Sequence, residues 1–232
     1  MIETIALGST TVHVVRKHIK HVYLRVGPPS GQVQISAPKH MAQDTLRAFA
    51  LAKWPWIQAQ QRKMEAQPRP APHQFIDGES HVLWGQHHRL TVFECDTVPR
   101  MEGQHPQMVL YVRPGTSVQQ RAALLEGWYR EQVRAAVLPL LKKWEPLMGV
   151  KSSSVLVQRM KTRWGSCTPS KKSIRLNTAL AEKPPQCLEY VVVHELAHLI
   201  EPSHNARFVS VMDAFMPQWR SWRAMLNHVP TP

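Results

Sequence analysis

The sequence predicts an α+β protein, and three observations carry that class. The first 117 residues are dominated by short β-branched or alternating runs, punctuated by Gly- and Pro-rich turns. Residues 118–148 then form one amphipathic stretch far too long for a strand. Beyond it, two more strand-like runs precede an apolar helical stretch that carries His194-Glu195-Leu196-Ala197-His198. The expected organisation is a β-rich N-terminal region with one helix over 1–117. A second region over 118–232 follows, its His-Glu-x-x-His helix packed on a small sheet.

Taken in order, residues 1–37 read as strands. Thr10–Val15 is β-branched, His21–Val26 alternates, the Gly27-Pro28-Pro29-Ser30-Gly31 cluster turns the chain, and Val33–Ala37 follows. From Asp44 to about Ala66 the apolar spacing becomes helical, and Pro55 implies a kink or two shorter helices. Pro68-Arg69-Pro70-Ala71-Pro72 is a stiff linker. Strands are expected at His81–Gly85, Arg89–Phe93 and Met108–Val112, with a loop over Asp96–Gln107. In 118–148, Leu124, Leu125, Trp128, Val133, Val137, Leu140, Leu141 and Trp144 make the buried stripe, and Pro139 is expected to kink or divide it. Val155–Met160 and Ser173–Asn177 are the last strands.

Composition narrows the classes. The chain has 232 residues, 43% hydrophobic and 19% charged, enough apolar surface for a real core and too much for a disordered chain. Lys and Arg number 29 against 16 acidic residues, a net charge of +13 that favours acidic partners, nucleic acid among them. Cys95, Cys167 and Cys187 are odd in number, widely spaced and form no C-x-x-C pair, which fits a reducing compartment rather than a disulfide framework. The first residues lack the pattern of a secretory signal, and no run reaches the roughly 18–20 apolar residues of a membrane span. A cytoplasmic protein with no membrane partner is the expectation.

The chemistry concentrates in Val191–His204. Residues four apart on a helix differ by about 40° in direction, so His194 and His198 share a face and close on one Zn²⁺ with bonds of roughly 2.0–2.1 Å. Glu195 lies about 100° round from His194, placed to act on water without becoming a ligand. A catalytic zinc takes a third protein ligand and keeps one position open. His204 is the expected third, brought back by a turn at Glu201-Pro202-Ser203; a carboxylate from a later helix, Asp213, is the alternative. About one zinc per chain is expected. Arg163, Tyr190 and Arg207 are candidates to bind substrate and stabilise an oxyanion, and Glu189, Glu201 and Asp213 to orient the imidazoles. Cys167 reads as structural, since a zinc site needs no thiol nucleophile.

Arg163-Trp164-Gly165-Ser166-Cys167, then Ile174-x-Leu176-Asn177, then Leu188-x-Tyr190-Val191-Val192-x-His194-Glu195-Leu196-Ala197-His198 and His204, resemble the YgjP-like metallopeptidase family. Upstream, Arg16–Lys20, Leu24-Arg25-Val26, Pro38 and Trp56-Ile57 are also similar, so the resemblance spans roughly residues 16–228. Val209 departs from it, standing after Phe208 where the family has Trp. The resemblance implies a zincin-like core related to SprT-type and minimal gluzincin peptidases. It also implies His194, His198 and His204 as zinc ligands and Glu195 as the catalytic residue. The expected function is peptide-bond hydrolysis by a zinc-activated water, with Glu195 as general base. SprT-type relatives act on DNA-bound protein, so the basic charge opens the alternative of a nucleic-acid-associated protease. A non-catalytic binding protein that uses zinc only to hold its fold is the other alternative.

Overall fold

The computed structural model describes residues 2–8, 10–27, 31–65, 72–104 and 107–228. The expected turn residues 28–30 and linker residues 68–71 lie outside these. The chain divides into two compact units, 1–72 and 73–232. The architecture is the expected α+β, with a β-rich N-terminal half.

In the first unit, β1 (Ile2–Leu7) and β2 (Thr10–Lys17) form an antiparallel hairpin. β4 (Gln32–Pro38) runs parallel to β2, with β3 (Tyr23–Gly27) antiparallel on its outer edge. Alternation places Val12, Val14, Val33, Ile35 and Ala37 on one fully buried face. Against them pack Leu46 and Ala50 of α1 (Gln43–Ala52) and Ile57 of α2 (Trp54–Glu65). Of the two outcomes Pro55 allowed, two short helices is the one found. Pro55 stands at the second position of α2, where its missing N–H has no intrahelical partner to lose.

The second unit begins with a sheet of the same topology. β5 (Ser80–Leu83) pairs antiparallel with β6 (Gln86–Glu94), β6 parallel with β8 (Gln107–Val112), and β8 antiparallel with β7 (Arg100–Gln104). β7 corrects the expected loop over Asp96–Gln107. It is a short edge strand with a single core residue, Met101, and with Gly103 facing Trp128, so its sequence carries no run of alternating apolar residues.

α3 (Val118–Met148) is one uninterrupted helix. A capping box between Ser117 and Gln120 opens it, and Gly149 in the left-handed region (φ 64°) closes it. Pro139 does not divide it. The helix buries Leu125, Tyr129, Val133, Val137 and Trp144, which outweighs the roughly 3 kcal/mol an internal proline costs.

α3 also explains why the units part at 72/73 rather than at 117/118. Its apolar face belongs to one continuous core that includes Leu90, Met108 and Leu110 of the β5–β8 sheet and Leu188, Val192 and Leu196 further on. Tyr129 donates a hydrogen bond to the Val82 carbonyl (2.6 Å), and the Trp84 N–H to that of Ala181 (2.6 Å). The β5–β8 strands therefore share their core with the C-terminal half.

The third sheet is small. β11 (Ser173–Asn177) is central, parallel to β9 (Ser154–Gln158) and antiparallel to β10 (Gly165–Thr168), which is an edge strand. α4 (Pro185–Ala197) packs against it, followed by α5 (Ala206–Phe215) and α6 (Trp219–His228). Among the described residues no helix is long and apolar enough to cross a membrane.

Candidate metal centre

α4 is apolar on nearly every side, as a helix through a core must be, and buries Leu188, Val191, Val192, Val193, Leu196 and Ala197. On the side toward the cavity it carries His194 and Glu195, and His198 is its C-cap. The chain turns there, before Pro202. Glu201 Oε1 accepts the Ser203 N–H (3.1 Å), the Ser203 carbonyl accepts that of Asn205 (2.8 Å), and the Asn205 side chain caps α5 by accepting the Phe208 N–H (3.0 Å). This sequence of small bonds returns His204 to α4.

The result is a cluster of three imidazoles whose nitrogens lie within 4.8 Å of one another. His204 Nε2 and His194 Nε2 are 3.1 Å apart. Tetrahedral donors with bonds of roughly 2.0–2.1 Å stand about 3.3–3.4 Å apart, so this pair is already close to the spacing that a single zinc ion requires. Phe208, 2% exposed, forms a common floor, its ring 4.7–5.0 Å from all three imidazole centroids. His198 Nδ1 faces the Glu201 carbonyl at 3.2 Å, which fixes the ring and leaves Nε2 as the lone-pair nitrogen. Burial, with His198, His204 and Arg223 adding to it, pushes the His194 pKa down to about 3, so that ring is neutral and able to ligate. Burial lowers His198 in the same direction. The donor set and its spacing fit a zinc-class ion.

Glu195 is 4% exposed and lies against the edge strand β10. A Cβ on Gly165 would stand 2.5 Å from its Oε1 and 2.9 Å from Val191 Cγ1, so only glycine lets strand and carboxylate meet. Among the described residues Glu195 Oε2 is buried with no hydrogen-bond partner, an acceptor held ready in the cavity. Burial raises the Glu195 pKa to about 8, against the opposing influence of Arg163.

A cavity of about 500 Å³ joins these parts. Its walls include His194, Glu195, His198 and His204, Gly165–Cys167 of β10, Arg163, Tyr190 and Arg223. Of the three substrate-binding candidates, Arg163 and Tyr190 line the cavity and Arg207 does not. Arg163 is carried on a loop held by buried Asn177, whose Nδ2 donates to the Met160 and Arg163 carbonyls (2.8 Å each). Tyr190 stacks on Trp219, and burial raises its pKa to about 12, keeping the hydroxyl a donor. Burial, helped by Glu195, pushes Cys167 up to about 11, which leaves its thiol neutral and unreactive at physiological pH.

The acidic candidates for orienting the imidazoles lie elsewhere. Glu189 accepts from Lys143 (2.7 Å) and Trp144 Nε1 (2.8 Å), joining α4 to α3. Asp213 accepts from Trp219 Nε1 (2.8 Å) and Arg220 Nη2 (3.2 Å), so it is committed to α6 and is not part of the histidine cluster. Glu201 contributes its backbone carbonyl instead of its carboxylate. Arg223 was not foreseen. On α6 it is one of two arginines, with Arg220, beside Trp219 and Trp222, and nothing in their spacing says which turns toward the cavity.

Comparison with known proteins bears on this site. No curated protein matches the chain. Among solved structures, the metallopeptidase zymogen of Pyrococcus abyssi abylysin is similar to a part of it, at 19% identity over 38% of this chain and 89% of that one, with a TM-score of 0.36. The metallopeptidase zymogen of Methanocaldococcus jannaschii jannalysin is similar at 19% identity over 39% and 92%, with a TM-score of 0.35. The model of the YgjP-like metallopeptidase domain matches residues 20–229, nearly the whole chain. The chain therefore belongs to the YgjP-like metallopeptidases, a family of metal-dependent hydrolases.

Proposed function

We propose that this metallopeptidase uses zinc held by His194, His198 and His204, and that Glu195 is its general base. The observation that carries the reading is the convergence of the three imidazoles in one cavity with a buried carboxylate whose Oε2 has no hydrogen-bond partner among the described residues. Zinc bound there supplies Lewis acidity, which acidifies water, polarises a carbonyl and favours the ionised form of nearby Glu195.

The chain's own groups do the rest. Glu195 accepts a proton from water and returns it to the leaving amine, a transfer that needs the rigid placement Gly165 allows. Tyr190 and Arg163, both in the cavity wall, are donors for the charge that develops on the carbonyl oxygen. β10 is an edge strand along the same wall, and its free edge suits an extended peptide, added as a further strand. An apolar cavity floor at Phe208 strengthens each of these electrostatic contacts.

Chelator-stripped protein, assayed on a panel of unfolded peptides, is expected to be inactive and to recover on zinc addition, whereas His198→Ala should not recover. Recovery of His198→Ala to wild-type turnover would contradict the reading. The +13 charge supports a second reading, in which the substrates are proteins bound to nucleic acid. DNA binding that weakens steeply with salt would favour it, and no binding at low salt would remove it.

A further inference from the structure

Among the described residues, one other group of metal-ligating side chains stands together, away from the cavity: His73, Glu79 and His81. Their donor atoms all lie within 4.8 Å of one another. The Glu79 carboxylate sits between the two imidazoles, Oε1 at 2.8 Å from His73 Nδ1 and Oε2 at 3.4 Å from His81 Nε2. The rings stack with centroids 4.4 Å apart.

The group is built rather than incidental. The chain from His73 to Glu79 folds back on its own carboxylate, which accepts the N–H groups of Gln74 (3.1 Å) and Phe75 (2.5 Å). Phe75 takes a positive φ of 55°, unfavourable for a bulky residue, and its carbonyl is held from α3 by Arg121 Nη1 (3.3 Å). His81 lies on β5 with its side chain only 2% exposed, and among the described residues its Nε2 makes only the long 3.4 Å contact to the Glu79 carboxylate, too poorly directed for a good hydrogen bond. Buried polar atoms are nearly always satisfied. A cation between the three side chains would give His81 Nε2 a close, well-directed partner in place of that long contact. His73, half-exposed, marks the side from which an ion enters.

Two imidazole nitrogens and a carboxylate oxygen make a donor set of borderline softness, suited to zinc and its neighbours and unsuited to calcium or magnesium. We propose that His73, Glu79 and His81 form a second site, structural in role, for a divalent transition-metal ion of the zinc class. The ion fastens the turn that opens the second unit, immediately after the proline-rich stretch, onto strand β5. The site is independent of the catalytic one.

Zinc titration of the chelator-stripped full chain, followed by native mass spectrometry, tests this. Wild type should retain two zinc ions. His73→Ala and Glu79→Gln should each retain one, with peptide hydrolysis unchanged in His73→Ala; the half-exposed position of His73 makes that variant the least disturbing to the fold. The double variant His194→Ala/His198→Ala should still hold one ion, and zinc should still raise its thermal midpoint. Wild type saturating at a single ion that the His194/His198 double variant loses would overturn the proposal while leaving the catalytic reading intact. A second ion that persists in both His73→Ala and Glu79→Gln would also overturn it, because that ion would then lie elsewhere.

Discussion

Glu195 shows at the scale of one residue how burial and chemistry are set against each other. Its carboxyl lies against Val191 and the backbone of Gly165, buried where a bare negative charge is poorly solvated, and its pKa rises to about 8 despite Arg163. In the metal-free chain this has a consequence for stability. Between the ordinary glutamate pKa of 4.5 and about 8, the folded state keeps a proton that the unfolded state has released. Folding stability contributed by this group is complete below pH 4.5 and is lost as pH rises through 8. Glu195→Gln has no such proton to lose. Urea unfolding of the two metal-free proteins at pH 4.5, 6 and 9 should show wild type falling progressively below the variant as pH rises. A difference that stays constant with pH would show that the carboxyl is not held protonated by its surroundings.

At the scale of elements, the site is the meeting of one helix and one strand. The His-Glu-x-x-His spacing is readable because a helix converts residue number into direction, and His204 because a proline after the helix demands a turn. β10 is harder to read, being four residues long with Gly165 and Ser166 in half of it. Gly165 is nevertheless where the two elements touch. Gly165→Ala must displace the Glu195 carboxylate and Val191, so it should lower turnover by about 10–100-fold, while zinc binding, measured separately, stays near wild type. Equal turnover in the two proteins would mean that Glu195 has room to move without cost. Arg223 illustrates the opposite limit. It reaches the cavity because Trp219 stacks on Tyr190 and so sets the rotation of α6, a tertiary contact that no local pattern records.

At the scale of the molecule, two four-stranded sheets repeat one topology, an antiparallel hairpin joined in parallel to a strand with its own antiparallel edge. The repeat is invisible in the sequence because it lies in pairing order, while the residues on the two buried faces differ. The α+β class and most strands were readable from alternation. β7 was not, having one core residue, and neither was the allegiance of β5–β8 to the C-terminal half, which depends on the single core they share through α3. What this core delivers to function is a buried α4, with His194 and Glu195 turned to a cavity and its apolar faces packed. The central claim is that this placement serves a proton transfer by Glu195 beside a metal held by histidines alone. Glu195→Gln, loaded with zinc and compared with wild type on a peptide that wild type cleaves, measures it most directly. The account predicts the same zinc content at the histidine cluster and a loss of about 10²–10⁴-fold in kcat, the usual share of a positioned general base. Unchanged hydrolysis in the zinc-loaded variant would contradict it.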